Sequence, residues 1–335
     1  MKFVLSMTDR IHTLKQIVSL WDEMGDERNP FVHMMFTPLF ARTAARTFIE
    51  NELRHRGETY FDSGGYYVQQ GGTTYEKLYQ DLLAYYQAND WGGWYILPDY
   101  VPTSSLSPEE VEARVQATIT VSRLFFYEMP VSLRSRALPV VQGHTQKQIQ
   151  DCVESYAQMG VHYVGFGSFG TSGNNQAINT ITRQSISMLQ YLRQLTNQHK
   201  MKIHAFGIGT PAVLSLFHDL GIDSFDSSCW SRTAGFGNVY LPFTGRRNIT
   251  QRMIMEVGGK AYQPAEFKAL CDQTEHYCPF CEDFEALKRG RVYQMLHNLC
   301  VILDMMDTFQ DITTTSPPSR YHKFMRQQSY TPLDL

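Results

Sequence analysis

Short apolar runs, many rich in β-branched or aromatic residues, recur along the chain, and longer stretches with apolar residues at three- and four-residue spacing separate them. The first kind reads as buried strands and the second as amphipathic helices. The strands are predicted at Phe3 to Ser6, Phe31 to Phe36, Thr59 to Phe61, Trp94 to Leu97, Leu138 to Val141, His162 to Phe166, Ile203 to Phe206 and Ile222 to Phe225. Helices are predicted at Ile11 to Met24, Pro38 to Leu53, Tyr75 to Gln87, Pro108 to Phe126, Gln146 to Met159, Thr180 to Thr196 and Pro211 to Leu220. Ser107, Pro108 and Glu110 spell an N-cap, a first-turn proline and a capping box. Repeated strand-helix units predict an α/β fold, a (β/α)8 TIM barrel, with a doubly wound open sheet as the competing arrangement.

Beyond the eighth strand the pattern changes. Residues 236–262, rich in Gly and aromatics with Arg246 and Arg247 at a turn, read as a β-rich excursion, and Phe284 to Phe309 turns helical again. The tail from Ser316 holds adjacent prolines and the basic residues Arg320, His322, Lys323 and Arg326, and reads as a loosely packed arm. The expected division is 1–235 for the main body of the barrel, 236–300 for the excursion and a metal-binding subdomain, and 301–335 for a helix end and basic tail.

The 335 residues can bury a sizeable core, and a net charge of -3 gives no global attraction for nucleic acid, so a polyanion needs a local basic patch. The apolar run at Met1 to Ser6 is too short for a signal peptide and no stretch approaches the roughly 18 apolar residues of a membrane span, so a cytoplasmic protein without a membrane partner is expected. Cys271, Cys278, Cys281 and Cys300 cluster while Cys152 and Cys229 stand apart, which in a reducing compartment favours metal over disulfides. Cys278-x2-Cys281 followed by His297 has the ligand types of a structural zinc site.

In a barrel the active site forms at the C-terminal ends of the strands. Those ends carry Asp62-Ser63-Gly64-Gly65-Tyr66, Pro98-Asp99, Gln142-Gly143, Gly165-Phe166-Gly167-Ser168, Phe206-Gly207-Ile208-Gly209 and Asp226. Carboxylates and an amide suit the edge of a purine, rings can sandwich a flat base, and glycines admit it to the backbone. Each residue also has a structural alternative: Asp226 as a cap for the next helix, Asp62 as a turn former, Tyr66 and Phe206 as core rings, and Gln142 as a partner for buried backbone groups.

Together these motifs resemble the tRNA-guanine transglycosylase family from about Thr59 to Leu299, adding Val141-Gln142-Gly143, Thr210-Pro211, Gly221-Ile222-Asp223-Ser224-Phe225-Asp226, Cys278-Pro279-Phe280-Cys281 and Leu296-His297-Asn298-Leu299. The resemblance implies a TIM barrel with a zinc subdomain that exchanges guanine in a polynucleotide for a 7-deazaguanine. It implies Asp226 as the nucleophile and Asp62 as the general acid/base, in a double displacement that retains anomeric configuration. Asp99, Gln142 and the backbone at Gly167 would read the base, and Tyr66 and Phe206 would stack on it. The zinc ligands it implies are His276, Cys278, Cys281 and His297, with Cys271 as rival to His276, and family members often form homodimers through that subdomain.

Departures bear on the substrate. After the nucleophile this chain reads Trp230-Ser231-Arg232-Thr233-Ala234-Gly235, keeping one arginine where tRNA-modifying members have two, and Ser172 stands where queuine-pathway enzymes have a glutamate. The segment before the barrel is short, with no appended RNA-binding domain in view. This looks like the DNA-guanine transglycosylases of bacteriophage and bacterial DNA modification, with 7-cyano-7-deazaguanine as the incoming base. Arg232, Arg246, Arg247, Lys288, Arg289 and Arg291 are candidate phosphate contacts. The alternatives are a divergent tRNA transglycosylase and a catalytically silent nucleic-acid-binding partner subunit.

Overall fold

The computed structural model describes residues 1–8, 10–69, 71–172, 178–250 and 261–314. The expected basic tail lies outside them, and so do residues 173–177 and 251–260. Among the described residues no helix is long and apolar enough to cross a membrane.

Nine parallel strand segments form one sheet, and two of them are halves of a single strand. In chain order they are β1 (Lys2–Ser6), β2 (His33–Phe36), β3 (Glu58–Phe61), β4 (Trp94–Ile96), β5 (Ala137–Leu138 with Val140–Val141), β6 (Tyr163–Phe166), β7 (Lys202–Ala205) and β8 (Ser224–Ser227). Each pairs with the next, and β8 returns to β1 with Phe225 opposite Phe3 and Asp226 opposite Val4. Pro139 has no N–H, so it splits β5. Ala137–Leu138 pairs with β4 and Val140–Val141 with β6, and the Pro139 carbonyl accepts from Gly165 N at 2.9 Å. Chain continuity through Pro139 therefore closes the eight-stranded ring.

Alternation along each strand sends neighbouring residues to opposite faces. Val4, Met35, Tyr60, Ile96, Leu138, Val140 and Tyr163 fill the barrel interior. Phe3, Leu5, Met34, Phe61, Val164, Ile203 and Phe225 meet the surrounding helices. With both faces buried, most of the strands read as largely apolar runs.

The helices between strands follow their caps. Thr74, Ser107, Thr145 and Thr182 each accept from the third residue of the helix they start. The cap at Thr182 explains why that helix starts at Arg183 and not Thr180. The expected Pro38–Leu53 helix is shorter: residues 37–41 form a turn, helix runs over Thr43–Phe48, and Ile49–Leu53 is a π turn.

After the barrel, Asn238–Val239 pairs with Arg247–Asn248 in a small hairpin. Helices Pro264–Thr274, Pro279–Glu282, Phe284–Arg289 and Arg291–Thr314 follow, so the expected continuous helix from Phe284 is broken at Gly290. Gln294 Nε2 donates to the carbonyls of Leu287 and Lys288 at 2.9 and 3.2 Å, which satisfies the end of the shorter helix. Val239, Leu241, Ile249, Phe267, Phe284 and Leu287 form this subdomain's own core.

Candidate active site

Because all barrel strands run the same way, their C-terminal ends open into one cavity of about 450 Å³. Asp62, Tyr66, Asp99, Gln142, Gly167, Phe206, Asp226 and Arg232 all line it. Arg246 and Arg247 do not; they belong to the hairpin loop and its second strand.

β8 runs further than its apolar residues suggest, because pairing with β1 carries it to Ser227. Asp226 therefore sits within the strand, its side chain in the cavity wall and 8% exposed. It caps no helix. Its Oδ2 accepts from Ser6 Oγ at 2.7 Å, and its Oδ1 accepts from the backbone N–H of Gly207 at 2.7 Å. Gly207 has φ +65°, a turn conformation that turns its N–H toward the carboxylate at no side-chain cost. His204 Nε2 lies 3.2 Å from the same Oδ1.

Asp62 follows β3 and takes a 2.7 Å hydrogen bond from Thr37 Oγ1, which follows β2. Burial raises its pKa above the ordinary carboxylate range; the Thr37 bond opposes this and the charge of Asp226 adds to it. The two carboxyls thus share one cavity and feel each other's charge.

Asp99 and Gln142 face each other across the cavity wall. Gln142 Nε2 donates to Asp99 Oδ2 at 2.7 Å, Ser168 Oγ donates to Gln142 Oε1 at 2.6 Å, and Gly143 N donates to Ser168 Oγ at 2.7 Å. This chain of bonds fixes the amide's orientation. Burial pushes the Asp99 carboxyl up to about 7, against the Gln142 bond and with the Asp62 charge. Gly167 lies against the Gln142 amide with no room for a side chain.

The two rings have different settings. Tyr66 is 45% exposed at the cavity rim, edge-on to Tyr67, which stacks on Phe40 at 4.0 Å. Phe206 lies over Gly165, where a Cβ would overlap the ring. Asn179 Nδ2 donates to the Phe206 carbonyl at 3.2 Å. Arg232 is exposed at the mouth on helix Cys229–Gly235.

Ser6, Thr37, Ser168, Asn179 and His204 were not singled out from the sequence. The signal for His204 was alternation: two residues before Phe206 on β7, it must share the ring's inward face, as Ser224 shares that of Asp226.

A second cluster lies in the C-terminal subdomain. Ligand atoms of His276, Cys278, Cys281 and His297 lie within 4.8 Å of one another. Cys278 Sγ is 3.4 Å from Cys281 Sγ, and His297 Nδ1 is 3.5 and 3.3 Å from the two sulfurs. His297 Nε2 is 2.8 Å from the Tyr240 carbonyl, which only an N–H can satisfy, so Nδ1 keeps its lone pair for the cluster. His276 Nδ1 is 2.7 Å from Asp304 Oδ2, and its buried Nε2 has no hydrogen-bond partner. An orphaned imidazole nitrogen beside two thiols and a second imidazole fits a tetrahedral metal site. Cys271 is also buried beside the cluster, next to Cys281.

The chain is 24% identical over 233 residues to a tRNA-guanine(15) transglycosylase of Nanoarchaeum equitans (strain Kin4-M), which covers 68% of this chain. It spans about half, 52%, of that relative's length. Residues 94–329 match the family described as queuine tRNA-ribosyltransferase. That match takes in most of the 335 residues, from β4 through the Cys/His cluster, and the chain belongs to this tRNA-guanine transglycosylase family.

Proposed function

We propose that this protein exchanges guanine in DNA for 7-cyano-7-deazaguanine through a covalent Asp226 intermediate. The observation that carries the reading is the meeting, in one cavity, of a hydrogen-bonded Asp226 and an Asp62 whose pKa is raised by burial and by its neighbour's charge. An Asp226 oxygen forms a bond to the sugar C1′ as the C1′–N9 bond breaks and its electron pair leaves with guanine, which takes a proton from Asp62. In the second half Asp62 removes the N9 proton of the incoming base, N9 bonds to C1′, and the ester pair returns to Asp226. Two displacements retain configuration.

Asp99 and Gln142 read the donor-rich edge of the purine, Gly167 lets it approach the backbone, and Tyr66 and Phe206 cover its faces. The nitrile is favoured because the sequence holds serine and not a carboxylate at position 172. DNA is favoured because the run after the nucleophile keeps one arginine, Arg232, where tRNA-modifying members have two. A duplex must flip its base to reach this cavity. The archaeal relative is a tRNA-guanine(15) transglycosylase, which keeps tRNA as the competing polymer. His276, Cys278, Cys281 and His297 would hold a structural zinc ion, whose four bonds to protein cross-link the subdomain and leave no open position.

The test is incubation with labelled 7-cyano-7-deazaguanine and, in parallel, duplex DNA, single-stranded DNA and total tRNA, followed by digestion and mass spectrometry of the nucleosides. Label in deoxynucleosides is expected. Label in tRNA alone would replace DNA as the substrate, and label in neither would overturn the exchange reading.

A further inference from the structure

We infer that His204 is a positioning residue that commits Asp226 Oδ1 to hydrogen bonding and leaves Oδ2 as the attacking oxygen. The inference rests on Asp226 being the nucleophile. His204 is fully buried in the barrel interior, 5.6 Å from the Tyr60 ring and 4.6 Å from the Phe206 ring. It belongs to a hydrogen-bonded line from the core to the nucleophile. Tyr163 OH meets Ser224 Oγ, Ser224 Oγ lies 2.5 Å from His204 Nδ1, and His204 Nε2 lies 3.2 Å from Asp226 Oδ1.

Counting protons orients the whole line. A carboxylate only accepts, so Nε2 must carry a proton, and in the neutral ring Nδ1 then accepts. The Ser224 hydroxyl then spends its proton on Nδ1 and accepts from the Tyr163 phenol. In a neutral ring, the opposite tautomer would set a bare Nε2 lone pair against the Asp226 carboxylate.

The consequence is an asymmetric carboxylate. Among the described residues, Oδ1 takes two donors, Gly207 N–H and His204 Nε2–H, while Oδ2 takes one, Ser6. The oxygen with a free lone pair is Oδ2, so Oδ2 bonds to C1′ and Oδ1 becomes the ester carbonyl. A donor bonds a carboxylate more strongly than an ester carbonyl. His204 therefore favours free Asp226 over the adduct and helps the carboxylate depart in the second half.

His204→Phe, which keeps ring volume and loses the donor, is expected to slow net exchange at least about tenfold. The share of enzyme trapped as protein–nucleic acid adduct should rise, because the slowed half is the one that consumes it. His204→Gln, whose amide reaches the same place, should bring the adduct share back toward wild type. In the substrate-free protein, long-range 15N-1H spectra of labelled histidine should show the resonance lost in His204→Gln as the Nε2–H tautomer. An Nδ1–H tautomer overturns the inference, and so does an unchanged adduct share in His204→Phe while the wild type forms adduct. Absence of adduct in the wild type with every polymer would overturn the Asp226 reading along with it.

Discussion

Three carboxylates share the cavity, and their surroundings divide the work between them. Asp226 is met by Ser6, Gly207 and His204, all placed to donate. Replacing it with Asn should leave fold and metal content intact and cut exchange by at least about a thousandfold; turnover near wild type would remove it from its role. Asp99 titrates near 7 because burial disfavours its charge. Only the ionised form can accept from two of a purine's N–H groups at once, so KM for the incoming base should rise about tenfold per pH unit as pH falls below that value. Asp99→Asn should weaken binding and flatten this dependence. An acidic limb that persists in Asp99→Asn would place the proton elsewhere. Asp62, Asp99, Gln142 and Asp226 were legible as polar residues ending apolar runs. His204 and Ser6 were not, because inside a strand a polar residue looks like an ordinary interruption until its partner on the next strand is known.

At the scale of elements, the strands could be read from their apolar runs because both faces of this sheet are buried, and the runs lie within a residue or two of the true strands. Boundaries slipped where pairing or capping outweighed local pattern: at Ser227, which β1 draws into β8, and at Arg183, which Thr182 caps. The split at Pro139 follows from the ring's missing N–H. Packing between elements was invisible in the sequence. Gly165 on β6 carries no side chain because the Phe206 ring from β7 occupies that space. Gly165→Ala should displace the ring, cost about 1–3 kcal/mol of stability and raise KM for the base. Unchanged melting temperature and KM would mean that Phe206 is not held by this contact.

For the molecule as a whole, the barrel gathers the cavity's carboxylates, and the Cys/His cluster lies where the chain after the barrel returns to it. Asp304 makes that tie visible, holding His276 Nδ1 at 2.7 Å and Arg28, which follows the first barrel helix, at 2.6 Å. Cys278→Ala should lose the bound metal and several kcal/mol of stability, measured by metal analysis and thermal melting; a metal-free wild type would refute the site. Ligand types were readable from spacing, whereas the orphaned Nε2 that favours His276 over Cys271 is visible only in the folded chain. The central claim is the covalent bond to Asp226. The most direct measurement is to react the protein with guanine-containing DNA, and in parallel with tRNA, quench in denaturant, and map any protein–nucleic acid cross-link by tandem mass spectrometry. A nucleic acid adduct on the Asp226 side chain, absent in Asp226→Asn and discharged by added 7-cyano-7-deazaguanine, is the predicted result. Exchange proceeding with no adduct, or with an adduct on another residue, would contradict the account.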